Sequence, residues 1–239
     1  AYSELAARGY APSMVTVPME HFADVFTGVE NGSLDLGIVP IENSLGGSIQ
    51  EVNQLLIDRK INVIGAVRQR ISHCLMTVSD TSYRDIKTVF SHPQALSQCR
   101  NFLERHSIEA RPYYDTAGAA RMLTQQQPPT TGVIASRLCS ELYDLEIIKE
   151  NIQDHTENFT RFLILSREKS QKKGQKTSII FWTRHEAGAL FQILKIFSEA
   201  GYNLTRIESF PCRDNPENSL FFLDFLGEND SGDTAGILQ

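Results

Sequence analysis

Over the first two thirds of the chain, strand-length apolar runs alternate with segments whose apolar residues recur at helical spacing, which restricts this region to α/β architectures. A strand is expected over 14–18. Phe22, Val25, Phe26 and Val29 then fall at i, i+3, i+4 and i+7 ahead of Asn31-Gly32, a helix with a glycine stop. A second strand covers 34–41. Gly46-Gly47-Ser48 opens a helix in which Ser48 caps and Glu51 completes a capping box, and strands follow over 61–67 and 71–78. The next group runs strand 86–91, a helix after His92-Pro93, a helix capped by Asp115 or Thr116, strand 132–135, a helix capped by Ser136, and strands 145–149 and 159–166.

The alternation stops at 167–176, where five positive residues, one negative residue and no apolar side chain read as a solvated tether between domains. Beyond it lie strand 177–183, helix 188–200 ended by Gly201, and strands 203–210 and 219–226. This β-α-β-β order is a ferredoxin-like unit without its last helix and strand. The chain of 239 residues, 41% hydrophobic, can bury a sizeable core, and a net charge of -6 gives no general basic field for nucleic acid or an anionic membrane. No apolar run is long enough to span a bilayer, and the first residues carry no basic segment followed by an apolar core, so neither a membrane span nor a signal peptide is expected. Cys74, Cys99, Cys139 and Cys212 lie far apart among apolar neighbours, a pattern of reduced, buried thiols rather than disulfides or a zinc site.

Three helix starts follow small or polar residues at strand ends: Glu42-Asn43-Ser44-Leu45-Gly46-Gly47-Ser48, Ser91-His92-Pro93-Gln94 and Asp115-Thr116-Ala117. Singly they are ordinary caps, but gathered at one cleft their unpaired N–H groups bind carboxylates or phosphates. Arg161 interrupts the otherwise apolar run 159–165 and needs an anion, either a structural carboxylate such as Glu42 or Glu157 or a substrate carboxylate. His73 and His92 could serve as acid or base, although a histidine beside strand residues is more often a satisfied structural group. No histidine spacing suggests a metal, and no G-x-S-x-G, G-x-G-x-x-G or P-loop is present.

The ordered motifs Ala1-Tyr2-Ser3-Glu4, Val39-Pro40-Ile41-Glu42-Asn43-Ser44, Ile71-Ser72-His73-Cys74-Leu75, Ser91-His92-Pro93-Gln94-Ala95-Leu96 with Gln98-Cys99, Asp115-Thr116-Ala117 and Asn158-Phe159-Thr160-Arg161-Phe162 resemble the prephenate dehydratase family, with a C-terminal ACT regulatory domain. The resemblance implies an α/β fold: a two-lobed catalytic domain like type II periplasmic binding proteins over 1–167 (lobes 1–75 plus 150–167, and 76–149), a linker over 168–176, and an ACT domain over 177–239, incomplete at its C-terminus. It implies decarboxylating dehydration of prephenate to phenylpyruvate without cofactor or metal. Thr160, Arg161 and Phe162 would be the catalytic residues, with Thr160 donating its hydroxyl proton and Arg161 binding a carboxylate. Asn43, Ser44, Ser91, His92 and Thr116 would add substrate contacts. Gly188, Ala189, Leu190, Glu208, Ser209 and Pro211 resemble the motifs that bind L-phenylalanine as effector. A cytoplasmic homodimer or homotetramer, plastidial in a plant, with no nucleic-acid or membrane partner, is the implied setting.

Two alternatives accompany that reading: the sibling arogenate dehydratase, and a non-catalytic amino-acid-sensing binding protein. The chain also departs from the family pattern. It starts after the family's first strand and Gly-Pro-x-Gly loop and stops before the last ACT helix and strand, so a piece of a longer protein is expected. Ala66 stands where relatives commonly have an acid, and Phe210 stands where the effector motif usually has Arg, which weakens the expectation of phenylalanine control.

Overall fold

The structure, a computed structural model, describes residues 2–78, 81–126, 130–170, 174–211 and 218–227. The chain divides into two compact units, Ala1–Glu168 and Lys169–Gln239. The first unit holds two sheets. One lobe contains α1 (Tyr2–Tyr10), α2 (Phe22–Asn31), β1 (Gly37–Asn43), β2 (Gly47–Ser48), α3 (Gln50–Asp58), β3 (Asn62–Arg70) and β9 (Phe159–Ser166), with strand order β2-β1-β9-β3. β9 runs antiparallel to both β1 and β3. Its Leu163 and Leu165 meet Phe26, Val39, Ile41 and Val52 in a buried core beneath α2 and α3.

The second lobe contains β4 (Cys74–Thr77), β5 (Thr88–Ser91), α4 (Pro93–Gln98), α5 (Arg100–Arg105), β6 (Glu109–Pro112), α6 (Thr116–Gln126), β7 (Thr131–Ala135), α7 (Leu138–Tyr143) and β8 (Glu146–Lys149), with order β6-β5-β7-β4-β8. β7 is buried at all five positions, as a strand covered on both faces must be. Ile134 points into a core with Leu75, Val89, Leu96 and Leu103, and Val133 and Ala135 into one with Met76, Leu123 and Cys139. Since β3 and β9 share one sheet while β4 and β8 share the other, the chain crosses between lobes twice, over 71–73 and 150–158.

Several local expectations change. No strand forms over 14–18: Val15 and Val17 are exposed, and without a partner strand their β propensity has nothing to pair with. The N-terminal segment instead forms α1, and the polar edge strand β6, exposed throughout, carries no alternation by which it could be read. Ser48 does not cap α3. It lies in β2, where its hydroxyl accepts from Asn53 Nδ2 at 2.6 Å, and Ile49 takes the cap position without a side-chain bond. Ser136 likewise gives way to Arg137 as the residue before α7. The helix after His92-Pro93 is broken at Cys99 into α4 and α5. Of the two candidate caps for α6, Asp115 is used: its Oδ1 accepts from Gly118 N at 2.6 Å. Gly32 ends α2 at φ 79°, the left-handed conformation a glycine stop requires.

The second unit contains β10 (Lys176–Arg184), α8 (Ala189–Glu199), β11 (Leu204–Pro211) and β12 (Asn218–Leu226), an antiparallel sheet of order β10-β12-β11. Phe197 of α8 packs on Leu223 and Phe225. Cys74, Cys99 and Cys139 are free and buried, and burial pushes all three thiols above their ordinary pKa, so they stay protonated. Cys212 lies outside the described residues. Among the described residues no helix is long and apolar enough to cross a membrane.

Candidate functional site

Side chains alternate along a strand, so Thr160 and Arg161 leave β9 on opposite faces. The register extends each into a row across the sheet: Asn43, Thr160 and Gln69 on one face, and Glu42, Arg161 and Arg68 on the other. Both rows sit at the β1 C-terminus and the β9 N-terminus, where the chain returns from the second lobe.

The Thr160 row begins a chain of amide hydrogen bonds. Asn43 Nδ2 donates to Thr160 Oγ1 at 3.0 Å and to Asn158 Oδ1 at 2.7 Å. Asn158 Nδ2 donates to Gln98 Oε1 at 3.1 Å, and His73 Nε2 lies 2.8 Å from that same oxygen. Tyr2 Oη closes the chain, 2.9 Å from His73 Nδ1. Its polarity is set at one end: the backbone N–H groups of Leu45 and Gly46 can only donate, and both bond Asn43 Oδ1, at 3.0 and 2.8 Å. Asn43 therefore presents its NH₂ to Thr160 and Asn158, Asn158 presents its own to Gln98, and His73 donates from Nε2, while the one phenolic proton of Tyr2 is directed to Ser72 O at 2.8 Å with His73 Nδ1 beside it. Because Thr160 Oγ1 accepts from Asn43, its own proton remains available for donation. Gln98 and His73 belong to the second lobe and its crossing, so the chain of bonds ties the lobes together behind Thr160.

His73 is 2% exposed. Burial holds its imidazole below the ordinary pKa of 6.5, partly offset by the bond to Gln98. The unfolded chain then binds the proton more readily, so this group's contribution to stability is complete above about pH 6.5 and is lost as pH falls from there through the depressed folded value. The slope can reach about 1.4 kcal/mol per pH unit. Thermal unfolding followed from pH 7.5 to 5 should show Tm falling more steeply for the wild type than for His73→Gln; equal slopes would remove His73 as the source.

The Arg161 row lines an open depression of ≈ 250 Å³ together with Asn43, Ser44 and Phe159. Arg161 Nη1 approaches Glu42 Oε1 at 3.4 Å, so of the two protein carboxylates considered for this arginine the structure sets Glu42 beside it. Arg68 lies with its guanidinium carbon 4.0 Å from the centre of the Phe159 ring. Ser44 holds the strand ends together, its Oγ accepting from Phe159 N at 2.9 Å and donating to Glu157 O at 3.3 Å. A second depression of similar volume, beside Arg111 and Tyr113, lies away from these residues, and its arginine already forms two bonds to Glu109.

The other expected residues are spread out. Ser91 is fully buried and its hydroxyl donates to Ile134 O at 2.6 Å, a bond within the second sheet. His92 is exposed and caps α4, its Nδ1 accepting from Gln94 N at 3.2 Å. Thr116 is half-buried at the start of α6. No hydrogen bond among the described residues joins these three to Thr160. Phe162 is 2% exposed and packs as core, so it braces the strand rather than facing a cleft. The lobes approach where a methyl group added at Gly46 would collide with the Gln94 side chain.

In the second unit, Gly188 precedes α8 at φ 89° with open space around it. Ala189 N donates to Glu186 O at 3.3 Å, and Leu190 is half-buried. Glu208 accepts two bonds from the buried Arg206, Ser209 is exposed, and Pro211 closes β11 opposite Ser219.

Two sheets joined by paired crossings, with a polar strand end buried at the junction, define a bilobal α/β domain. A family model described as prephenate dehydratase matches residues 1–170. The prephenate dehydratase of Methanocaldococcus jannaschii is 39% identical over 221 residues, 90% of this chain and 79% of its own length. Arogenate dehydratase 2 of Petunia hybrida is 41% identical over 216 residues, 89% of this chain and 55% of its own. The crystal structure of prephenate dehydratase in complex with L-Phe from Arthrobacter aurescens superimposes with a TM-score of 0.89 at 25% identity, covering 99% of this chain and 80% of that one. The chain belongs to the prephenate dehydratase family. It spans 55 to 61% of the length of three of its curated relatives.

Proposed function

We propose that this chain carries out the decarboxylating dehydration of prephenate to phenylpyruvate. The C–C bond to the ring carboxylate breaks, its electron pair enters the ring, and the C–O bond opposite breaks as the ring becomes aromatic. Aromatisation drives the step, leaving the protein to orient a dianion and to protonate the departing hydroxide, which leaves as water. The observation that carries this reading is the bond from Asn43 Nδ2 to Thr160 Oγ1, because it occupies the hydroxyl as acceptor and leaves its proton for the leaving group. Arg161 is our candidate for binding a carboxylate, in competition with Glu42; it leaves β9 on the face opposite Thr160, so one substrate would reach both across the strand end, where Asn43 bonds Thr160 and also lines the depression. Ser44, His92 and Thr116 remain candidate substrate contacts, and Ser91 a residue that shapes the second sheet's end.

The sibling reading, dehydration of arogenate, is favoured by relatives such as the Petunia protein. We further propose that the second unit is an ACT domain that binds L-phenylalanine, in a cytoplasmic homodimer or homotetramer, or a plastidial one in a plant. The support is its β-α-β-β order and its likeness to a structure solved with L-Phe. The test is turnover of prephenate and of arogenate by the protein, with phenylpyruvate and phenylalanine quantified, and with L-phenylalanine then titrated into the assay. Product from either substrate supports dehydratase chemistry; product from neither overturns it.

A further inference from the structure

We infer that Arg68 is a specificity-determining residue, which favours a substrate bearing a 2-oxo acid side chain over the corresponding amino acid. The inference rests on the dehydratase reading above.

It starts from charge. Both substrates carry two carboxylates, but prephenate has a keto oxygen beside its side-chain carboxylate, whereas arogenate has an ammonium group there. Prephenate is thus the more negative by one charge. The row on this face of the sheet holds one carboxylate and two guanidinium groups, Glu42, Arg161 and Arg68, a sum of +1. Glu42 faces Arg161 at 3.4 Å. Arg68 has no carboxylate partner among the described residues, although it lines the same depression.

The geometry suits the role. Arg68 is on β3, the edge strand of its sheet, and is exposed, so it can meet a ligand without rearrangement of the core. Its stacking on Phe159, two residues from Arg161 on the same face of β9, limits where the planar fork can point. A fork held there can donate to a carboxylate and an adjacent keto oxygen together, since both accept. Facing an ammonium group, the same fork meets a like charge with no lone pair to accept its N–H groups. Discrimination therefore arises from a repulsive contact as well as an attractive one. Arg70, on the same strand and face, is exposed but does not line the depression, and so separates a directed contact from a diffuse positive field.

The experiment measures kcat and KM for prephenate and for arogenate, at low and moderate ionic strength, in the wild type, Arg68→Gln and Arg70→Gln. Arg68→Gln is expected to lower kcat/KM for prephenate about tenfold, mostly through KM, and to change the arogenate value threefold or less in either direction. Arg70→Gln should leave the ratio of the two substrates within about twofold of the wild type. Equal losses for both substrates in Arg68→Gln, no loss for either, or the same change of ratio in Arg70→Gln would each overturn the inference. Wild-type protein inactive on both substrates would instead overturn the dehydratase reading on which the inference stands. Unchanged Tm in Arg68→Gln, expected at an exposed edge position, makes a change in KM readable as a change in recognition.

Discussion

Thr160→Ala is expected to lower kcat by roughly 10²-fold or more while changing KM much less. The proton that leaves with hydroxide is needed only as the C–O bond breaks, so its loss is felt in the transition state and little in substrate binding. The structure sharpens this expectation. Thr160 is buried and has one side-chain bond, accepted from Asn43 Nδ2 at 3.0 Å, so removal of the hydroxyl costs the fold about 1 kcal/mol and a few degrees of Tm. A hundredfold kinetic loss, about 2.7 kcal/mol in the barrier, exceeds that and cannot be ascribed to partial unfolding. Thr160→Ser keeps the donor and loses the methyl group that fixes the rotamer, so it should fall between the two. Near-normal kcat in a folded alanine variant would take Thr160 out of the chemistry.

What the sequence made legible follows from what periodicity can encode. β7 and β9 are apolar runs because they are central strands, and α2 shows its spacing because one face covers Phe26 and Val29. β6 was illegible because an exposed edge strand of Glu-Ala-Arg-Pro has no buried face to write a pattern, and α1 because it buries Ala6 alone. Val15 and Val17 misled in the opposite sense: their residue types fit a strand, but propensity acts only where a neighbour completes the ladder.

The site divides in the same way. Asn43 and Thr160 were nameable because they lie in motifs that a family shares. Their contact could not be read from a separation of 117 residues; it depends on the antiparallel register of β1 and β9. Asn158 and Gln98 lie within such motifs but carry no signal of a role, since amides at such positions look like any polar residue until their partners are in place. His73 shows how a structural reading and a functional one can meet. It is a satisfied, buried histidine, and the bonds that satisfy it lead to Thr160. Arg68 had no signal at all, because nothing in Val-Arg-Gln-Arg tells which arginine of an edge strand looks into a depression and which into solvent.

Asn158 gives the second large effect expected, as a positioning residue that touches neither substrate nor Thr160. It is fully buried between Asn43 and Gln98, accepting from one and donating to the other. Asn158→Leu leaves Asn43 Nδ2 and Gln98 Oε1 each short of a partner, a loss of about 2 kcal/mol or more, and should lower Tm by roughly 4 °C or more. Asn43 then keeps its bonds to Leu45, Gly46, Phe159 and Thr160 but loses the one that draws its NH₂ toward the second lobe, and kcat is expected to fall about tenfold. Stability alone would account for the first result, so Asn158→Asp supplies the decisive one. An aspartate of nearly the same shape keeps the acceptor toward Asn43 but, when ionised, sets a carboxylate oxygen against Gln98 Oε1. Protonated, it regains a donor and reproduces the amide pattern. Burial against an acceptor raises the pKa of such a carboxyl group, which brings its titration toward the range where the enzyme can be assayed. The kcat deficit of Asn158→Asp relative to the wild type should therefore narrow as pH is lowered, and that of Asn158→Leu should not. Parallel pH profiles for the two variants would mean that Asn158 only fills space between the lobes, and that the polarity fixed at Leu45 and Gly46 ends at Asn43.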